Sequence, residues 1–242
     1  MGPRALPITD EIWQVGGPGF TAPEDCAVYL LAAEGRAALI DSGCGRATDL
    51  LLANVEAAGA DPRSIELLLF THCHYDHSGG GAELRKRLGC RVVAHALEAV
   101  FIEEGNNNVT AAGWYMGSLT PCVVDRRISR AREEISLGQR TITAIHIPGH
   151  SPGSVAYLAE SGGRRVLFAQ DVHGPLHPAL LSSRDDYFAS LQRLLELDAD
   201  ILCEGHLGIF EGREAVAAFI RGFLDGPGTG AGGAPGSFSG PA

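Results

Sequence analysis

Nowhere does this chain approach the roughly 20 consecutive apolar residues that a bilayer-spanning helix requires, so no membrane anchor is expected. Close cysteine pairs are missing too. Cys26, Cys44, Cys73, Cys90, Cys122 and Cys203 are scattered without a Cys-x-x-Cys spacing, which argues against a thiolate-rich structural zinc module and reads as a set of reduced thiols. Basic residues are in deficit: 19 Lys and Arg stand against 29 Asp and Glu, for a formal net charge of -10 and a pI of about 5.3. A nucleic-acid surface needs clustered positive charge to neutralise phosphates, so that partner is not expected. The opening M-G-P-R-A-L-P-I-T-D has no apolar stretch behind its single arginine, which points to a cytoplasmic chain rather than a secreted one. No internal repeat at a solenoid period occurs.

What the chain does have is apolar bulk. Of its 242 residues, 45% are hydrophobic, enough for one large domain or two small ones. The expected division is a single folded domain over residues 1–225 and a disordered tail rich in Gly and Pro over 226–242. A homodimer is compatible with this composition.

The densest chemistry lies between Thr71 and Gly80, T-H-C-H-Y-D-H-S-G-G, where three histidines and an aspartate fall within six residues. The apolar run Ile65–Phe70 before it has strand length, so the cluster begins where a buried strand ends. His72 and His74 project the same way from an extended backbone, and Asp76 and His77 follow as the chain turns. Imidazole nitrogens with a carboxylate oxygen suit zinc, iron or manganese. By the same alternation Cys73 and Tyr75 point away, into packing.

Further strand-like runs end in isolated acids and histidines. Arg36 to Ile40 leads into Asp41, Arg140 to Ile147 into His150, Arg165 to Ala169 into Asp171, and Asp200 to Cys203 into Glu204-Gly205-His206. Loops at strand ends are where layered α/β folds build sites. His146 falls inside its strand and is read as structural. A strand is also expected at Cys122–Asp125, and helices at Ala47 to Ala57, Ala82 to Leu88, from about Ala96, Arg184 to Leu197 and Arg213 to Leu224. The stretch from Glu104 to Pro121 is polar and glycine-rich with aromatic residues, and reads as a substrate-facing flap whose apolar surface is Trp114, Tyr115 and Met116.

His-x-His-x-Asp-His, followed by a later His, Asp and His, resembles the metallo-β-lactamase superfamily over roughly residues 10 to 225, in its glyoxalase II-like or lactonase-like branch. The resemblance implies a four-layer αβ/βα sandwich, an α/β fold with helices outside two packed sheets. It implies two divalent metal ions, zinc first, with iron or manganese as alternatives. His72, His74 and His150 would hold one and Asp76, His77 and His206 the other, with Asp171 bridging and Asp41 orienting a ligand histidine. His173 and His177 join Trp114 and Tyr115 as expected pocket residues.

The implied activity is hydrolysis of a small ester, thioester or lactone by a metal-bridging hydroxide, with Asp76 as the catalytic carboxylate that orients the nucleophile and moves its proton. A small-molecule substrate is therefore expected. The alternative on the same fold is persulfide dioxygenase-like chemistry at one iron held by His72, His150 and Asp171. Glyoxalase II-like enzymes carry G-C-G-R after the bridging aspartate; here Val172-His173-Gly174-Pro175-Leu176 follows, and the G-C-G-R at Gly43 to Arg46 lies far upstream.

Overall fold

The computed structural model describes residues 2–224; the expected tail at 226–242 lies outside the described residues. Among the described residues thirteen strands form two sheets. The first contains β1 (Leu6–Thr9), β2 (Ile12–Gly16), β3 (Val28–Ala33), β4 (Arg36–Ile40), β5 (Ile65–Leu69), β6 (Arg91–His95) and β7 (Arg126–Ile128), in that order. The second contains β8 (Arg132–Leu137), β9 (Arg140–His146), β10 (Val155–Ser161), β11 (Arg164–Phe168), β12 (Ile201–Cys203) and β13 (Ile209–Glu211), also in sequence order. The six α-helices are α1 (Thr48–Ala57), α2 (Tyr75–Ser78), α3 (Gly81–Leu88), α4 (Ala96–Glu104), α5 (Arg184–Glu196) and α6 (Arg213–Leu224).

Strand alternation explains the layers. In β5 and the residue after it, Leu67 and Leu69 face one way and Leu68 and Phe70 the other, as a period of two requires. The first pair joins Tyr29, Ile40, Tyr157, Phe168 and Ile201 in a core between the sheets. The second pair meets Leu51, Val55, Leu84 and Ile102 from α1, α3 and α4. On the far side Leu158, Leu167 and Leu202 pack against Leu191, Leu194, Val216 and Ile220 of α5 and α6. Both sheets are thus buried on two faces, which is why their strands read as continuous apolar runs. The result is the expected four-layer sandwich.

Strand direction places the site. β4, β5 and β6 are parallel, so Asp41 and the loop after β5 leave the same edge. β9 and β11 both run antiparallel to β10, and β12 is parallel to β11, so the loops carrying His150, Asp171 and His206 leave one edge together. Tyr157 Oη donates to Phe70 O at 2.8 Å and Val155 N–H to Thr71 O at 2.8 Å, joining the two edges.

One expected strand is displaced. Cys122–Asp125 is not a strand; pairing with β6 begins at Arg126. Two of the earlier backbone donors are taken by α4, Cys122 N–H by Ile102 O and Val124 N–H by Glu103 Oε1, and Asp125 N–H alone reaches β6, at Val92 O. The Asp125 side chain accepts from Val92 N–H at 2.9 Å and from Arg85. Three edge elements, β1, β8 and β13, carry too little apolar alternation to stand out in sequence. Among the described residues no helix is long and apolar enough to cross a membrane, and all six cysteines are free and buried.

Candidate metal centre

Two groups of side chains converge at the common edge. His72, His74, His150 and Asp171 offer atoms within 4.8 Å of one another, and Asp76, His77 and His206 form a second such set. Asp171 belongs to both neighbourhoods. Its Oδ2 lies 3.1 Å from His150 Nε2 and 3.7 Å from His72 Nε2, while Oδ1 lies 3.4 Å from His77 Nε2 and 3.2 Å from His206 Nε2. Asp76 Oδ2 adds contacts of 3.2 Å to His206 Nε2 and 3.5 Å to His77 Nε2.

Local backbone sets these positions. Asp171 has φ 54° and Asp41 φ 64°, left-handed conformations that aspartate tolerates better than most residues. Gly205, just before His206, has no room for a side chain: an added Cβ would sit 2.9 Å from Asp171 Oδ1 and collide with the Gln170 amide. The three-residue strand β12 therefore delivers His206 only because glycine precedes it.

Outer hydrogen bonds fix which ring nitrogens look inward. Asp41, fully buried, accepts from Thr71 N–H at 2.8 Å, from Thr71 Oγ1 at 2.7 Å and from His77 Nδ1 at 2.8 Å. With its proton given to Asp41, Thr71 Oγ1 accepts from His72 Nδ1 at 3.1 Å. His150 Nδ1 donates to Pro175 O at 2.9 Å. His72, His77 and His150 thus each turn Nε2 toward the centre. His150 Nε2 and His74 Nδ1 face each other at 2.9 Å. His72 Nε2, His74 Nε2 and Asp171 Oδ1 are buried without a well-aligned hydrogen bond. Imidazole nitrogens and carboxylate oxygens gathered this closely fit a divalent cation.

The electrostatics agree. Burial, then His77 and His74, holds His72 well below the usual imidazole range, and burial followed by His150 pushes His74 down to about 3. These rings are neutral and ready to ligate. Burial would raise Asp171, but His77, His206 and His150 outweigh it and hold the carboxyl well below its ordinary value. Asp76 is lowered against burial in the same way, by His77 and His206. In the second set burial is overcome by anions. His77 is raised well above its usual value by neighbours including Cys26, Asp76, Asp171 and Asp41, and Asp171 and Asp76 push His206 up to about 10.

The expected pocket residues divide into an inner and an outer pair. The Tyr115 ring lies 5.9 Å from that of Tyr75, beside α2, and its phenol is held well above the usual range by burial and then by Asp76. His173 lies 5.5 Å from the His206 ring and bonds Glu204 Oε1 at 2.8 Å. Trp114, 58% exposed, meets His177 edge to face at 5.5 Å farther out. The flap is pinned by Tyr75 N–H to Thr110 O at 2.8 Å and by Arg46, which reaches both Tyr115 O and Glu24. The G-C-G-R run therefore contributes a flap anchor. Cys73 and Tyr75 pack as expected, and His146 lies within β9, stacked on His95 at 4.0 Å.

Glu204 and Thr71 were not expected to contribute. Glu204 is fully buried and accepts from His206 N–H at 2.7 Å and Leu207 N–H at 2.9 Å, shaping the turn that carries His206. Its signal was an acid ending a buried strand.

Comparison with known proteins fits this geometry. The family model described as Metallo-beta-lactamase superfamily matches residues 21–206. An acyl-coenzyme A thioesterase MBLAC2 from Gallus gallus is 34% identical over 214 residues, 76% of this chain and 73% of that protein. A hydroxyacylglutathione hydrolase from Anaeromyxobacter dehalogenans (strain 2CP-C) is 31% identical over 247 residues, 86% of each chain. Among solved structures, metallo-beta-lactamase MIM-1 from Novosphingobium pentaromativorans superposes with a TM-score of 0.75 at 25% identity, covering 91% of this chain and 87% of that one.

Proposed function

This chain belongs to the metallo-beta-lactamase superfamily and is a metal-dependent hydrolase, and from that premise we propose that it cleaves a small thioester at a centre of two divalent cations, zinc in the first instance. The hydrolase domain spans residues 1–225. His72, His74 and His150 would hold one cation and Asp76, His77 and His206 the other, with the Asp171 carboxylate facing both groups. The observation that carries this reading is the split of the Asp171 carboxylate, one oxygen toward each histidine group. When bound, such a pair supplies an acidified water and a counter-charge for a developing oxyanion. Scattered, buried, free thiols support a cytoplasmic setting.

The chain's own residues do the rest. Asp76, anionic at neutral pH and only 3% exposed, orients the attacking water and takes its proton. The Tyr115 phenol stays protonated beside Asp76 and donates a hydrogen bond to the substrate carbonyl. Asp41 and Glu204 keep His77 and His206 in position.

A thioester is favoured over a lactone by the two relatives, an acyl-coenzyme A thioesterase and a hydroxyacylglutathione hydrolase by name. The rim supports an apolar acyl group: Trp114, Met116, Leu181 and Leu207, 47–90% exposed, lie on the segments flanking Tyr115, Ser182 and His206. Metal-replete protein assayed against acyl-coenzyme A and glutathione thioesters, a lactone, a β-lactam and a persulfide decides the class. Thioester turnover lost on chelation and restored by zinc is expected, with Trp114→Ala lowering kcat/KM roughly 10-fold for a long acyl chain and little for acetyl. Oxygen-consuming persulfide turnover with one iron per chain would defeat the proposal.

Metal uptake should release protons unequally. His72 and His74 are neutral near pH 7, so they give up none; His77 and His206, raised by their carboxylates, are protonated there and must lose theirs. Cation affinity at Asp76, His77 and His206 therefore climbs as pH rises toward about 10. Calorimetry in buffers of different ionisation enthalpy should show a larger proton release for the Asp76, His77 and His206 equivalent than for the other. Equal release at both would contradict the assignment.

A further inference from the structure

Helix α4 carries an acid on its buried face: Glu98 is 0% exposed, alongside Ala99 and Ile102. A buried carboxylate is tolerated only with its acceptor capacity filled. Oε2 accepts from Cys73 N–H at 2.8 Å, and Oε1 accepts from Gly153 N–H at 2.7 Å and from Ser151 Oγ at 3.0 Å. Cys73 separates His72 from His74, while Ser151 and Gly153 follow His150. One side chain therefore grips both loops that carry the first histidine group.

The surroundings are shaped around that grip. Gly153 admits it, since an added Cβ would lie 2.8 Å from Glu98 Cγ and 2.8 Å from His95 Nδ1. Ser151 Oγ also meets Ser154 Oγ at 2.8 Å, and Ser154 Oγ accepts from Ser151 N–H at 3.2 Å, closing the turn after His150 on itself. Burial and then Glu98 hold the Cys73 thiol well above its ordinary value, so it stays protonated. The Asp76, His77 and His206 group has separate supports, Asp41 under His77 and Glu204 under His206, and neither bonds Glu98.

We propose that Glu98 is a positioning residue for the first cation alone, setting the spacing of His72 and His74 against His150. This rests on the two-cation reading. The 2.9 Å approach of His150 Nε2 to His74 Nδ1 spans the two loops, so a shift of either loop alters it directly. In Glu98→Gln the amide NH2 must oppose a backbone N–H at one of its two ends, because Cys73 and Gly153 both present fixed donors.

The test titrates zinc against a chromophoric chelator in the wild type, Glu98→Gln and Ser151→Ala, and records thermal unfolding of each metal-free protein. Two equivalents are expected in the wild type. Glu98→Gln should lose 10- to 100-fold in affinity for one equivalent and keep the other, and Ser151→Ala should weaken the same equivalent by less. In a His206→Ala background, which leaves the first group intact, the Glu98→Gln loss should fall on the remaining equivalent. Unchanged affinities in Glu98→Gln, or parallel weakening of both equivalents, overturn the proposal. If Glu98→Gln does not fold, unchanged affinities in Ser151→Ala overturn it. A wild type that takes one equivalent sinks the two-cation reading instead, and Glu98 is then judged on that equivalent.

Discussion

Asp171→Asn should reduce kcat/KM by about 10³-fold or more while leaving the fold intact. Asparagine keeps the size of the side chain and tolerates φ 54°, so the backbone need not move. The change removes one negative charge from a point within 3.1–3.7 Å of four imidazole nitrogens. At about 4 Å and an effective dielectric near 20, one unit-charge attraction is worth about 4 kcal/mol, and a tenfold change in rate corresponds to about 1.4 kcal/mol. Cations carry two charges and Asp171 faces both groups, so three decades is a floor. Metal stoichiometry should fall together with activity, and circular dichroism should not change. An Asn variant within tenfold of wild-type activity would rule out a bridging role.

Asp41→Asn should cost stability and metal at once. The wild-type carboxylate accepts from three buried donors on Thr71 and His77, and asparagine has one acceptor oxygen to offer them. Its NH2 group must face either Thr71 or His77. If it faces His77, Nδ1 becomes the acceptor and Nε2 takes the proton, so the ring presents N–H where a lone pair is needed. Leaving buried donors unpaired costs about 3 kcal/mol, which for a chain of this size lowers the melting midpoint by roughly 6–12 °C. Loss of an orienting partner lowers metal affinity about 10- to 100-fold. Thermal unfolding with and without zinc separates the two effects. A variant with wild-type zinc affinity would show that His77 does not depend on Asp41.

What could be read in the residues depended on distance along the chain. Thr71 to Gly80 announces itself because four polar groups crowd into one turn after an apolar run. His150, Asp171 and His206 were recognisable as strand-end residues, and the superfamily pattern supplied their grouping. The supporting residues were harder. Glu98 meets Gly153 across 55 positions of sequence, and nothing near either residue anticipates the bond. An acid on the buried side of α4 was the available sign. Cys122–Asp125 has strand composition, yet α4 takes its backbone donors first, so the strand starts at Arg126. The edge strands β1, β8 and β13 escaped notice because half-exposed edges need little apolar alternation.

The seam between the two sheets has a bearing on how the molecule matures. His72, His74, Asp76 and His77 come from the half that contains β1 to β7, and His150, Asp171 and His206 from the half that contains β8 to β13. A chain stalled or nicked between Ile128 and Arg132 can keep either sheet and still hold only part of each ligand group. Cation capture adds binding free energy to the fully joined state alone. Metal uptake should therefore raise the unfolding temperature of the intact chain and not that of either half alone.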